Sequence, residues 1–487
     1  MIKLKKLLLE QKTKEEILLD FLREKIKNTK FEGKTFVAGG YVRDMVMGKK
    51  SKDIDITVAL PNGGIEFATW ITKQTGTYKE NSNPVIFPSF GTAKFNLPGV
   101  KHMGVDIGDI DIECVMTRKE QYKDNSRKPE VDFGTPYEDV ERRDLTINSL
   151  LYDISNQRIL DLTGKGLSDI KNKVIRTPID SNIIFKEDPL RMLRTIRFSV
   201  RYGWKLSDDM IKSLTKNSDM LKNISMERIQ DEFNKIILSD SPSQGIKILI
   251  ETDLMKYIIP EYYKLVGLKQ NDYHEWDAFE HSLKVLENSP KRLEVRLAAL
   301  LHDIGKINTV SNDDGKIHFY GHEFESAKMS KEILTRMKYP NSVINKVIKL
   351  VTNHMRTKYM GDDISKATDK ALRKFMNEMG DDIEDLLDLI HADNISHGSP
   401  GWKHNMENQV DNIRKKLKQL GNFAGKLKMP IDGNKIINML NIKPNKEIGI
   451  ILSKFKEMFF ENPDKINNMS DEEIEQLIKK IYSSIKK

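Results

Sequence analysis

The pair Gly39-Gly40, followed a short way on by Asp53-Ile54-Asp55, constrains the fold more than any other stretch of this chain. Thr35-Phe36-Val37-Ala38 is apolar and short, which predicts a strand that the glycines end. Tyr41 to Gly48 reads as one short helix closed by glycine. Ile54, Ile56 and Val58 then alternate with Asp53, Asp55 and Thr57, the period-two pattern of a second strand. Residues two apart on a strand point to one side, so both carboxylates face one spot. Hard oxygen ligands converging there suit Mg²⁺, which binds through one or two carboxylates plus substrate phosphates. The glycines let the backbone approach a triphosphate and offer it N–H groups. These parts predict a two-metal nucleotidyl-transfer site, where one ion activates a hydroxyl and the other steadies the leaving pyrophosphate. The competing reading is a solvated acidic stripe. A second pair, Asp109-Ile110-Asp111, lacks the upstream glycines and reads as a charged strand face. Glu113 either adds a third carboxylate, if its strand pairs beside the first, or is a surface residue.

Further along, Arg142 and Arg143 put two permanent cations beside that triphosphate site, and arginine binds phosphate bidentately. Asp144 and Asn148 fall one helical turn apart and can reach a ribose or orient an arginine. An exposed ion-pair network is the alternative for this group. Asp161 to Gly164 is a plain turn or a hinge. In Glu187-Asp188-Pro189-Leu190-Arg191, proline is tolerated in a first helical turn and carboxylates are favoured there. Asp188 and Arg191, three apart, are expected to share one helix face. An acceptor beside a fork of donors matches the Watson–Crick edge of cytosine or adenine, each with an exocyclic amine next to a ring-nitrogen acceptor. The alternative is a helix cap with a local salt bridge.

Gly39-Gly40-Tyr41-Val42-Arg43-Asp44 with Asp53-Ile54-Asp55 resembles the first motif of class II tRNA nucleotidyltransferases (CCA-adding enzymes) and bacterial poly(A) polymerases. Arg142 to Ser149 resembles the second motif, Ser149 departing from the usual alanine. Asp161 to Asp169, Glu187 to Arg191, and Glu227-Arg228 with Glu232 resemble the third, fourth and fifth. The resemblance implies a polymerase-β-like head in which Asp53 and Asp55 bind Mg²⁺. It implies that Gly39, Gly40, Arg43, Arg142, Arg143, Asp144 and Asn148 hold the nucleotide. Asp188 and Arg191 would act as a protein template for CTP and then ATP, added to the tRNA 3′ end. Poly(A) synthesis or addition of only part of the CCA shares the same motifs and stays open. Such enzymes carry a flexible segment between the first two motifs. Asn81 to Phe133, rich in Gly, Pro, Asn and Lys and including Asp124, Arg127, Glu130 and Asp132, is the candidate here.

A different pattern follows. His281 precedes Leu297-Ala298-Ala299-Leu300-Leu301-His302-Asp303-Ile304-Gly305-Lys306, an apolar helix ending in a His-Asp pair. Polar groups buried there need partners, and metal coordination supplies them. With Asp393 as a distant fourth ligand, the arrangement resembles the HD superfamily of metal-dependent phosphohydrolases. His322 and His354 extend it to a second ion or contact a phosphate; His274, His318, His391, His397 and His404 read as surface or helix residues. Mixed imidazole and carboxylate ligands suit Mg²⁺ or a divalent transition metal. The resemblance implies phosphatase and 2′,3′-cyclic phosphodiesterase activity on RNA 3′ ends. An HD phosphohydrolase with a merely RNA-binding head is the reading from another class.

A chain of 487 residues predicts several domains. The expected fold is α+β. A nucleotidyltransferase head with a mixed sheet (1–155) precedes a helical nucleotide-recognition neck (156–265), an HD domain (266–400) and a helical tail (401–487). In the tail, Arg414, Lys415, Lys416, Lys426 and Lys428 either hold RNA phosphates or form a solvated basic face. A net charge of +8 favours a polyanionic partner such as tRNA. A single cysteine, Cys114, excludes an internal disulfide framework and fits a reducing compartment. No apolar run reaches the length of a membrane span and Met1 to Lys6 leads into no signal core, so a cytoplasmic location is expected. Oligomeric state is not encoded in any of these features.

Overall fold

The computed structural model describes residues 12–51, 53–88, 91–121, 130–270, 275–313, 315–357, 367–398, 408–420 and 429–486. Asp124, Arg127, His274, His404, Lys426, Lys428 and the segment Met1 to Lys6 lie outside the described residues. The chain divides into two compact units, Met1–Ile258 and Ile259–Lys487.

In the first unit, helix α1 (Lys14–Ile26) begins with a capping box between Thr13 and Glu16 and buries Ile17, Leu18, Phe21 and Leu22. Then come β1 (Thr35–Ala38), α2 (Gly40–Val46), β2 (Ile54–Val58), α3 (Gly63–Gln74), β3 (Val85–Phe87), β4 (Thr92–Phe95) and β5 (Ile112–Met116). After α4 (Pro136–Glu141), the strands β6 (Leu151–Asp153) and β7 (Arg158–Leu160) complete a sheet of order β7-β6-β1-β2-β5-β4-β3. Every pairing is antiparallel except β2 with β5, which makes the sheet mixed. The alternation read from β2 is what buries it: Ile54, Ile56 and Val58 are at most 1% exposed and pack with Phe67, Ile71 and Phe95 in the main core. Burying apolar area of this kind is the dominant favourable term in folding.

Two expectations need correction. Asp109-Ile110-Asp111 is not a strand face; it forms the turn ahead of β5, where Asp109 pairs with Lys14 and Asp111 with Lys94. Nor is Asn81 to Phe133 one flexible insert, because β4 and β5 lie inside the sheet. Ala93, Phe95, Ile112 and Cys114 alternate and are buried, a period-two signal that the surrounding Gly, Pro and Lys obscured.

Beyond the sheet the unit is helical: α5 (Ser181–Glu187), α6 (Leu190–Tyr202), α7 (Asp208–Asn217), α8 (Met226–Ile237) and α9 (Pro242–Glu251). The second unit holds α10 (Ala278–Asn288), α11 (Leu293–Leu301), the hairpin β8 (Val310–Asp313) and β9 (Lys316–Phe319), α12 (His322–Arg336), α13 (Asn341–Asn353), α14 (Asp369–Met379), α15 (Ile383–Ile395) and α16 (Gln409–Gln419). Its last helices, α17 (Gly433–Leu440), α18 (Lys446–Glu461) and α19 (Asp471–Ile485), close around a core of their own that includes Ile436, Phe455, Phe459 and Ile478. In α16, Arg414 is committed to Glu384 and Asp388, and Lys416 donates to the Ala367 carbonyl. No helix among the described residues is long and apolar enough to cross a membrane.

Candidate active sites

Strand β1 ends at Gly39, which takes φ 72° and ψ −129°, a conformation that favours glycine. A Cβ there would sit 3.4 Å from Arg143 NH1, and one on Gly40 would sit 3.5 Å from Arg43 NH2. The two glycines thus lie directly under two guanidinium groups. Arg43, 4% exposed, donates from Nε to Asp44 and from NH1 to the Asn148 amide oxygen at 2.6 Å. Arg142 and Arg143 grip opposite oxygens of Asp139 at 2.7 and 2.9 Å. Asp139, on α4, is fully buried and was not anticipated from the sequence. Burial alone would raise its carboxyl, but Arg143 and Arg142 hold it below the usual carboxylate range. Asp144 accepts from Asn148 Nδ2 at 3.0 Å and from Arg194 at 2.6 Å, which likewise outweighs burial and keeps it ionised.

These side chains converge on one cavity of about 460 Å³, lined by Gly39, Gly40, Asp55, Asp144, Asn148 and Asp188 and by six arginines: Arg43, Arg142, Arg143, Arg191, Arg194 and Arg228. All nine residues expected to hold a nucleotide are therefore brought together, with Asp55 at the same wall. Asp53 stands exposed immediately before β2 and is not part of the lining. The condition set for Glu113 is met: β2 and β5 pair in parallel with Asp55 opposite Glu113. Burial, then Glu113, raises the Asp55 carboxyl above its ordinary value. Like charges opposed across strands destabilise one another, so the donor set Asp53, Asp55 and Glu113 fits a cation.

The base-recognition pair is arranged differently from expectation. Asp188 and Arg191 do not share a helix face, because α5 stops at Glu187 and α6 starts at Leu190. Proline at 189 has no N–H to continue α5 and pushes Asp188 into extended backbone. Asp188 accepts from the Leu190 N–H and pairs with Arg228 at 3.0 Å; Arg191 pairs with Glu187 at 2.7 Å. The local salt bridge is thus present with a different partner, while the N-cap of α6 is Pro189, which has no capping side chain. Both residues still line the cavity. Arg194 and Phe198, on the same face of α6, were missed in the sequence; their spacing from Arg191 was the available signal. Asp161 and Gly164 form a turn, with Asp161 accepting from Thr163 and Leu167.

In the second unit, helix α11 is buried from Val295 to Leu301 and delivers His302 at its C-cap. His281, His302 and Asp393 form one group whose ligand atoms lie within 4.8 Å of one another; Asp303, His322 and His354 form another. Asp303 joins them. Its Oδ1 is 3.3 Å from His322 and 3.9 Å from His354, and its Oδ2 is 3.2 Å from His302 and 3.5 Å from His281. Gly305 makes this possible, since a Cβ there would lie 2.4 Å from the Ser326 nitrogen and 2.6 Å from the His322 carbonyl, forcing α12 away. Burial lowers His281 and His354, the neutral form a metal needs, while Asp303 outweighs burial to raise His302. His302 Nε2 is buried and its near neighbour is Asp303 Oδ2. The donors fit a divalent cation in either group.

His397 corrects another expectation. It is 2% exposed, stacks on His281 with ring centroids 5.0 Å apart, and lies 3.6 Å from Asp393. It follows the end of α15, so helical periodicity could not place it. His391 is partly buried on α15 and His318 lies on β9. Lys306 was also unassigned; its ammonium bonds Asp303 and Gln270, each at 2.6 Å.

A mixed sheet with paired acids and a basic cavity in one unit, and a His/Asp centre in the other, define a protein with a nucleotidyltransferase head and a helical domain with candidate metal ligands. Residues 35–176 match the poly A polymerase head domain, 203–265 the "probable RNA and SrmB-binding site of polymerase A", and 278–398 the HD domain. By these matches the chain carries a poly A polymerase head, an adjoining polymerase RNA-binding segment and an HD domain. It is 33% identical over 237 residues to the mitochondrial CCA tRNA nucleotidyltransferase of Candida glabrata, covering 46% of this chain and 43% of that one. The match thus spans less than half the length of that relative. It is 26% identical to the CC-adding tRNA nucleotidyltransferase of Thermus thermophilus, over 87% of this chain and 88% of the relative. The Bacillus stearothermophilus CCA-adding enzyme, solved with CTP, shares the fold at TM-score 0.64 and 19% identity, over 98% of this chain and 99% of that one.

One prediction follows from Asp139. Its depressed carboxyl stabilises the fold above the unfolded carboxylate range, and that stability is lost as pH falls through the folded value. Asp139→Ala is expected to cost about 3–5 kcal/mol at neutral pH, because two arginines lose a buried partner. The gap should narrow in acid. Urea melts of both proteins from neutral pH downward check this, and a pH-independent gap would contradict it.

Proposed function

We propose that this protein adds or repairs the 3′-terminal CCA of tRNA from CTP and ATP, releasing pyrophosphate, and that its HD domain hydrolyses phosphoesters at RNA 3′ ends. The observation that carries the first part is the basic cavity where the glycine turn, Asp55 and the two arginine-bearing segments meet. Asp53, Asp55 and Glu113 would hold Mg²⁺. Bound divalent ions supply charge neutralisation at the phosphates and a lowered pKa at the attacking hydroxyl. The chain's own groups do the positioning. Arg142 and Arg143, fixed through Asp139, present their remaining N–H groups beside the Gly39-Gly40 turn, where bidentate donors suit a triphosphate. Arg43 orients the Asn148 amide, which can meet a ribose hydroxyl. Asp188 and Arg191, steadied by Arg228 and Glu187, offer an acceptor and a donor fork to an exocyclic amine and a ring nitrogen. A reducing compartment suits the buried free thiol of Cys114.

A base read by paired polar groups is discriminated strongly, since a mismatch leaves them unpaired. Asp188→Ala is expected to reduce kcat/KM for CTP and ATP by about a hundredfold while changing that for UTP far less. Single-turnover incorporation with each nucleotide measures this; equal losses for all of them would remove Asp188 from base selection.

The Thermus relative, matched along most of its length, is named a CC-adding tRNA nucleotidyltransferase, which favours partial addition as the second reading. Incubating the protein with tRNA lacking CCA, with CTP and ATP, decides. Three added residues and a stop support the proposal, two cytidines support partial addition, and a long adenosine tract supports polyadenylation. For the HD domain, His281, His302 and Asp393 would hold one cation and Asp303, His322 and His354 a second. Lys306, bonded to Asp303, carries a positive charge at the centre and would attract a phosphate to it.

A further inference from the structure

Among the described residues, the two most exposed large apolar side chains are Tyr320 (71%) and Phe324 (64%). They bracket His322, a member of the second metal-ligand group, in the run Tyr320-Gly321-His322-Glu323-Phe324. Scattered exposed hydrophobics need no explanation, but a cluster at a candidate centre does. Here the rings are organised. His318 and Tyr320 stack with centroids 5.0 Å apart and an interplanar angle of 8°. Phe319, between them, points the other way and lies under Lys306 Nζ at 5.3 Å, and that ammonium bonds Asp303. The Phe319 carbonyl holds His322 Nδ1 at 2.9 Å. A single stretch of chain therefore fixes His322 through the Phe319 carbonyl and leaves the rings of Tyr320 and Phe324 largely exposed.

We propose that Tyr320 and Phe324, backed by His318, form a stacking platform for the terminal base of an RNA 3′ end whose phosphate occupies the neighbouring HD centre. This deepens the HD reading given above and rests on it. Unpaired bases stack on aromatic rings without regard to sequence, and histidine serves alongside tyrosine and phenylalanine. Continuity with the phosphate-handling centre favours a nucleotide over an apolar peptide, because the platform and a ligand histidine share one backbone turn. The site would be base-tolerant, as a surface with no hydrogen-bonding edge must be.

The test uses the full chain and a short RNA ending in 2-aminopurine with a 3′-phosphate, with divalent ions omitted so that nothing is turned over. Stacking quenches the probe. Tyr320→Ala and Phe324→Ala are each expected to weaken quenching and affinity by about tenfold, and Tyr320→Phe by less than about twofold. Ribose 5-phosphate, which has no base, should compete equally well against wild type and variants. Absence of quenching in wild type, or unchanged quenching in the Tyr320→Ala/Phe324→Ala double variant, would overturn the platform; a partner of another kind on this face would give that result. Phosphate release from the same RNA with Mn²⁺ is measured separately. Its absence from wild type, with quenching intact, sinks the hydrolytic reading and leaves the base platform standing.

Discussion

Asp55→Asn is expected to lower nucleotide incorporation by roughly a thousandfold or more, the scale on which removing a transition-state charge interaction acts. The same substitution should leave phosphate release by the HD centre unchanged, since the two sites belong to different compact units. A second readout guards against simple misfolding. Asp55 stands opposite Glu113 on adjacent parallel strands, and their mutual repulsion, after burial, raises the Asp55 carboxyl. Cancelling one charge of such a pair should stabilise the protein by about 0.2–1 kcal/mol in the absence of divalent ions. Activity lost together with a higher melting temperature is the signature of a site whose charges await a cation. Mg²⁺ should then raise the melting temperature of wild type and do little for the variant. Because the carboxyl is raised, its ionised form costs stability at neutral pH and the cost fades as pH falls through the folded value. The asparagine variant should lose that acid-side recovery. Lower stability in Asp55→Asn, with incorporation and phosphate release reduced alike, would mean that Asp55 is structural.

How much of this could be read beforehand depended on whether a residue's role was local. Gly39, Asp55 and the β2 alternation were legible because turn, strand and face are properties of neighbours in sequence. So was helix α6, whose apolar spacing and terminal Gly203 mark both its face and its end. Asp139 was not legible. It looks like any acidic residue in a first helical turn, and only the fold shows two arginines closing on it in a dry pocket. The break at Pro189 was visible, yet its consequence was misjudged: the pair lies at a junction between helices, with Arg228 of α8 completing it. His397 marks the limit. Nothing in its neighbours separates it from His391, and its burial comes from α10 packing on α15. Both ligand groups of the HD centre were legible in composition, while the sharing of one carboxylate between them is a property of packing alone.

That shared carboxylate carries the second large effect. Asp303→Ala is expected to lose bound divalent metal and to reduce phosphate release by more than about a hundredfold, with nucleotide incorporation unaffected. One of its oxygens faces His322 and His354, the other faces His302 and His281, so its loss opens both groups at once. Stability should fall as well. Lys306 is 4% exposed and donates to Asp303, and stranding a buried ammonium costs about 3–5 kcal/mol. The two consequences separate in the double variant Asp303→Ala/Lys306→Met, which removes both charges and fills much of the lysine's volume. Stability should return toward wild type while metal content and phosphate release stay low. Metal analysis of the purified protein, alongside thermal melts, reads both. Metal content recovering together with stability in the double variant would assign Asp303 to Lys306 alone, and the two histidine groups would then have to bind their ions without a common ligand.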